Sequence, residues 1–157
     1  MVGNPQRTYG LNWERDLVNR FKKYDPKARR NPNSGAFGTQ AGIANLQGDV
    51  VFTVDGLPFL IEAKAGYGGS LSMSVKREWM DKTIKEAENQ RPKRIPLLAL
   101  KFRNSKTDSG KLIALTITDF EKVMDRLLEV IEDLAEAQDF IFSLKDSGVD
   151  ITEYTKG

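Results

Sequence analysis

The stretch "GDVVFTVDGLPFLIEAKAG", Gly48 to Gly66, decides how this chain folds. It holds two short apolar runs around Asp55-Gly56, a dipeptide that accepts the positive φ angles of a type I′ hairpin turn. With those two residues as the loop, Val54 faces Leu57. Counting outward, Pro58 falls at a non-hydrogen-bonded position, where its missing N–H costs the ladder nothing. The same count brings Asp49 opposite Glu62, again in a non-hydrogen-bonded pair, with Cβ atoms roughly 4.5–5.5 Å apart. Lys64 lies two residues beyond Glu62 and so shares its face. Val50, Phe52, Val54, Phe59, Ile61 and Ala63 take the other face, which is the expected core.

Two carboxylates side by side repel unless a cation joins them. Lys64 compensates one charge. A divalent metal held by Asp49, Glu62 and the Ala63 carbonyl compensates both with hard oxygen ligands. The competing arrangement is a surface Glu–Lys pair with Asp49 at the strand start. The independently derived register favours the metal.

The rest of the 157-residue sequence narrows the chemistry further. It contains no cysteine and no histidine, which excludes disulfides, thiolate zinc sites and cysteine or serine–histidine nucleophiles. Catalysis must therefore run on carboxylates, lysines, hydroxyls and a bound ion. No apolar run approaches membrane-spanning length, and the N-terminal stretch lacks a secretory signal pattern, so an intracellular, cytoplasmic location is expected. Net charge is +2, but residues 1–48 carry eight Lys/Arg against three Asp/Glu, while residues 118–157 carry four against eleven. A basic body beside an acidic tail fits a polyanion-binding face with a segregated acidic segment.

Hydrophobic periodicity predicts a helix over about 12–24, carrying Trp13, Leu17, Val18 and Phe21 on one stripe. A short basic strand at 27–31 and a long Gly/Asn/Ser loop at 32–48 follow. After the hairpin come a glycine loop, a helix over 75–89 capped by Ser74, strands at 95–102 and 111–118, and a long helix capped by Thr118 or Asp119. The order α-β-β-β-α-β-β-α predicts an α/β fold in which one mixed sheet is flanked by helices. We expect a single domain over 1–157, its core at about 10–134 and an acidic helical extension at about 135–157.

"GD" at 48–49 with "EAK" at 62–64 resembles the signature of the PD-(D/E)-x-K nuclease superfamily, with Gly48 in place of its usual proline. "ERDLVNRF" with Glu14, "ARRNPNSG" with Ser34, and the later "PLLALKF" strand resemble the archaeal-type Holliday junction resolvases over roughly 10–128. The resemblance implies a restriction-endonuclease-like core and a Mg2+-dependent endonuclease acting on DNA, with Mn2+ as a substitute ion and no small-molecule cofactor. It implies catalytic roles for Glu14, Asp49, Glu62 and Lys64, with Asp49, Glu62, Ala63 and Glu14 about the metal. Lys64 would help orient or deprotonate the attacking water and stabilise the pentacovalent phosphate. Ser34 becomes a phosphate contact by resemblance alone. Arg15, Arg29, Arg30, Lys76 and Arg77 are the basic candidates for DNA backbone contacts. A homodimer nicking opposed strands of a four-way junction is the leading expectation, since two-fold symmetry holds two sites at a fixed separation. A restriction-like or repair nuclease on linear or nicked duplex is the alternative. A DNA-binding or assembly protein without chemistry is the third, disfavoured by the complete acid-acid-lysine set.

Overall fold

A computed structural model describes residues 5–31, 47–66 and 72–148. Ser34, most of the loop around it and the glycine loop after the hairpin lie outside those residues. The chain forms two compact units, Met1–Thr116 and Ile117–Gly157.

In the first unit, α1 (Pro5–Phe21) is followed by β1 (Arg29–Arg30), β2 (Val50–Val54) and β3 (Leu57–Ala65). Then come α2 (Arg77–Glu88), β4 (Ile95–Lys101), a 3-10 turn (Asp108–Gly110) and β5 (Lys111–Ala114). The strands form one sheet in the order β1-β2-β3-β4-β5, in which only β3 and β4 run parallel. The parallel pair is joined through α2, as such a crossover requires. The alternating helices and strands give the expected mixed-sheet α/β architecture.

The hairpin register is the one counted from the turn. Val54 faces Leu57, Thr53 faces Pro58, and the pairing ends at Val50 opposite Ile61; Asp49 does not pair with Glu62 as the count expects, because its N–H turns to the Ile61 carbonyl instead. Asp55 and Gly56 take φ of 46° and 78°, the left-handed pair that a type I′ turn needs.

Both faces of this sheet are buried, not one. On the first, Phe21 of α1 stacks on Phe52, which stacks on Phe59, with ring centroids 4.2 and 4.8 Å apart. Trp13 is buried there too, and its indole N–H donates to the Ala99 carbonyl at 3.1 Å. On the second face Val51 and Leu60 are buried with Ala87 of α2. The face bearing Glu62 and Lys64 is therefore roofed by a helix.

Some element ends differ from expectation. Helix α1 begins at Pro5, about two turns before the predicted start, and is anchored early by the Tyr9 hydroxyl donating to the Phe102 carbonyl. Ser74 does not cap α2: the N-cap is Lys76, without a side-chain capping bond. Strand β5 is shorter than predicted and stops at Ala114, because the following helix already begins at Ile117. Asp119 consequently lies inside that helix's first turn, paired with Lys122 at 2.7 Å.

The second unit contains α3 (Ile117–Asp146), a single continuous helix of 30 residues. No element boundary falls near residue 135. No helix among the described residues is long and apolar enough to cross a membrane.

Candidate active site

Gly48 turns the chain into β2 with a φ of 73°. The Asp49 N–H then donates to the Ile61 carbonyl at 2.8 Å, and the Asp49 carbonyl accepts the Asn31 N–H at 3.0 Å. These bonds pin Asp49 between β1 and β3. Its Oδ2 accepts the Ala63 N–H at 2.8 Å, so the carboxylate lies against the backbone between Glu62 and Lys64. The turn and the register thus bring the Asp49 side chain onto the backbone of the strand that carries Glu62 and Lys64.

Glu62 is buried, 4% exposed, although it is a carboxylate in the middle strand. Burying such a group is costly unless positive charge and hydrogen bonds accompany it. Lys64 meets its Oε1 at 2.5 Å and Lys82 of α2 meets the same oxygen at 3.3 Å. The Lys64 ammonium also lies 5.6 Å from the centre of the Trp79 ring, whose face attracts cations. Trp79 thus helps to place the signature lysine.

Lys82 and Glu86 form part of the site that the sequence reading did not name. Lys82 sits one turn before Glu86 and meets its Oε1 at 3.4 Å. Glu86 is itself buried, 4% exposed, and neither of its carboxylate oxygens makes a hydrogen bond of normal geometry. Burial pushes the Glu86 carboxyl above the usual range; Lys82 opposes this and Glu62 adds to it. For Lys82, burial works against the ammonium, but Glu62 and Glu86 outweigh it and hold its pKa above the usual lysine value. The signal was available in the spacing: Trp79, Lys82, Thr83, Glu86, Ala87 and Gln90 recur at helical intervals.

Glu14 is engaged elsewhere. Its Oε2 accepts from Arg30 Nε at 2.7 Å and meets Arg30 Nη2 at 2.6 Å, a forked charge pair joining α1 to β1. Among the described residues no group of three or more carboxylates is gathered to hold a metal ion. The three-carboxylate cluster of Glu14, Asp49 and Glu62 is therefore not assembled in this geometry, because a guanidinium has taken the Glu14 carboxylate. Arg30 pairs with Val50, the residue after Asp49, so the ion pair stands next to the signature.

Of the other basic candidates, Arg29 is exposed on β1 and lines a surface cavity with Lys27 and Arg94. Burial first, then the Arg29 charge, lower the Arg94 pKa, so this end of the sheet is rich in positive charge. Arg15 is exposed and reaches Asn12 at 3.4 Å. Lys76 and Arg77 are exposed and pair with Glu78 and Asp81 at 3.3 and 3.5 Å. None of these four candidates contacts Asp49, Glu62 or Lys64 in any bond described above.

The residues present suit a divalent ion. Asp49 and Glu62 offer hard carboxylate oxygens, and two ammonium groups already converge on Glu62, where cationic charge is needed. The family comparison bears on the same residues. Residues 5–154 match the model of the family described as "Phage putative PDDEXK endonuclease". The chain belongs to this family. No curated protein matches it. In this PDDEXK endonuclease the five-stranded mixed sheet is consistent with a restriction-endonuclease-like core.

Proposed function

We propose that this endonuclease is a Mg2+-dependent, structure-selective DNA nuclease that nicks four-way junctions as a homodimer. The observation that supports the reading is the Asp49 carboxylate seated on the Ala63 N–H, on the strand that carries the Glu62–Lys64 ion pair. Asp49 and Glu62, with the Ala63 carbonyl, would hold the ion. When bound, Mg2+ supplies Lewis acidity toward a phosphoryl oxygen and makes water acidic enough to attack near neutral pH. Lys64 donates hydrogen bonds to the attacking water and to the phosphate as charge builds on it. The attacking water loses a proton to solvent as its oxygen bonds to phosphorus, the bridging P–O bond breaks, and the departing oxygen takes a proton from solvent. Glu14 enters this scheme through Arg30, fixing a guanidinium beside Asp49 where a neighbouring phosphate can meet it. Arg15, Arg29, Lys76 and Arg77 supply backbone contacts farther out, and Ser34 is carried as a phosphate contact by the family pattern alone.

We assign the dimer contact to α3. Ile117, Phe120, Met124, Leu127, Ile131 and Leu134 alternate at spacings of three and four, and all are exposed. That is the seam of a coiled coil. Although the helix is strongly acidic, the positions flanking the seam carry one charge, Glu121, so a second copy can approach without repulsion there. In an antiparallel pair Leu127 meets Ile131 of the other copy, Met124 meets Leu134, and Arg126 comes to the same flank as Asp133.

The test is a cleavage panel of labelled four-way junction, flap, nicked and linear duplex at one salt concentration, with Mg2+, Mn2+ or EDTA. The junction should be cut fastest and only with metal. Asp49→Asn, Glu62→Gln and Lys64→Ala should each lose roughly 10²–10⁴-fold in rate while still binding junction in EDTA. Preference for linear duplex would select the restriction-like or repair reading, and intact cleavage by all three variants would remove the mechanism.

A further inference from the structure

We propose that Lys82 and Glu86 form a cation-exchange latch: Lys82 neutralises Glu62 while the site lacks its metal and transfers to Glu86 when the metal arrives. The proposal rests on the reading of Glu62 as a metal ligand. Three observations support it. First, the Lys82 ammonium is placed between two carboxylates, 3.3 Å from Glu62 Oε1 and 3.4 Å from Glu86 Oε1, so the transfer requires only a small swing of a flexible side chain. Second, the mobile partner is the accessible one: the Lys82 side chain is 45% exposed, whereas those of Glu62 and Glu86 are 6% exposed. Third, Glu86 is a buried carboxylate that Lys82 and the Gly48 backbone N–H face without a well-formed hydrogen bond on either oxygen. A group of that kind is costly to bury unless it has a partner to receive.

Lys64 cannot serve as the exchanging cation in the same way. Its ammonium is held between Glu62 and the Trp79 ring, and its side chain is 17% exposed against 45% for Lys82, so it has less freedom to move. With a dication on Glu62, two ammonium groups on the same oxygen would repel it. Moving Lys82 to Glu86 relieves one of them and leaves Lys64 facing the substrate. Glu86 thus acts as a positioning residue through Lys82, not as a ligand.

The sign of each variant separates this arrangement from its rivals. Mn2+ affinity of the full-length protein is measured by the EPR signal of the free ion, in wild type, Lys82→Met, Glu86→Gln, the double variant and Glu62→Gln. Removing the competing ammonium in Lys82→Met should tighten Mn2+ binding, and removing its alternative partner in Glu86→Gln should weaken it, each by about fivefold or more. In the Lys82→Met background, Glu86→Gln should have almost no effect. Equal weakening by Glu86→Gln in both backgrounds makes Glu86 a direct ligand and overturns the latch. So does unchanged or weaker binding in Lys82→Met. Unchanged affinity in Glu62→Gln instead overturns the ligand reading beneath it, a different and distinguishable failure. Thermal melts establish that each variant is folded, and Lys82→Gln and Glu86→Met carry the same comparison if either first choice is not.

Discussion

Gly48→Ala should damage the protein through one identifiable overlap. Gly48 has a φ of 73°, where an L-residue with a Cβ is strained by about 1–2 kcal/mol. A Cβ built there would also lie 2.6–2.8 Å from the Cγ, Cδ1 and Cδ2 atoms of Leu60. Leu60 is fully buried with Val51 and Ala87, so it has little room to retreat. Overpacking of this kind costs about 1–3 kcal/mol, for a total of roughly 2–5 kcal/mol. Gly56→Ala is the control, since Gly56 has a φ of 78° but nothing within 4 Å of the added carbon. It should show the strain alone. Urea unfolding of the two variants gives the difference directly, and Tm should fall by about 10 °C for Gly48→Ala. Leu60→Ala, itself costing about 2–5 kcal/mol, removes the clash, so Gly48→Ala added to it should cost only the strain. If Gly48→Ala and Gly56→Ala are equally destabilising, or if the Gly48→Ala penalty is undiminished beside Leu60→Ala, the packing argument is wrong.

Other expectations concern separate parts of the chain. Ile131→Asp should convert the proposed dimer to monomer in light scattering at micromolar concentration; an unchanged mass would show that α3 is not the dimer contact. Trp13→Phe should cost about 1–3 kcal/mol in urea unfolding, because it leaves the buried Ala99 carbonyl without its indole donor. Asp108 accepts from Arg20 at 2.7 Å and Lys111 at 3.2 Å, and those hydrogen bonds, Arg20 first, hold its carboxyl below the usual range. Its contribution is therefore present above the ordinary carboxyl pKa and lost as pH falls through the lowered value. The stability gap between wild type and Asp108→Asn should vanish in acid and narrow in high salt.

Much of the fold was legible because one dipeptide carried it. Asp55-Gly56 fixes the turn, the turn fixes the register, and the register brings Asp49 to the strand that carries Glu62 and Lys64. Helix α1 was found from its apolar stripe, but its first two turns were missed because Gly10 weakens the pattern and the Tyr9 anchor on Phe102 is a contact between residues far apart in sequence. On α2, attention to basic residues near the helix start picked Lys76 and Arg77, which face solvent. Lys82 and Glu86 look like an ordinary surface pair at i,i+4 in one dimension. Only the packing of α2 over β3 shows that they stand over Glu62. The Glu14–Arg30 pair was hidden for a similar reason: either partner alone reads as a nuclease residue, and their mutual attraction appears only when α1 and β1 are side by side.

The parallel crossover has a consequence for how the enzyme is made. A nascent chain that has emerged only to Arg94 already carries Asp49, Glu62, Lys64, Lys82 and Glu86. It nevertheless lacks β4, whose Leu98 and Leu100 pair with Glu62 and Lys64, so the strand bearing the signature is still an open edge. Parallel pairing cannot form until α2 has been laid across and the next strand delivered. Cutting competence should therefore wait until Lys101 has emerged, and a ribosome-bound fragment that already holds the proposed catalytic side chains should remain blunt.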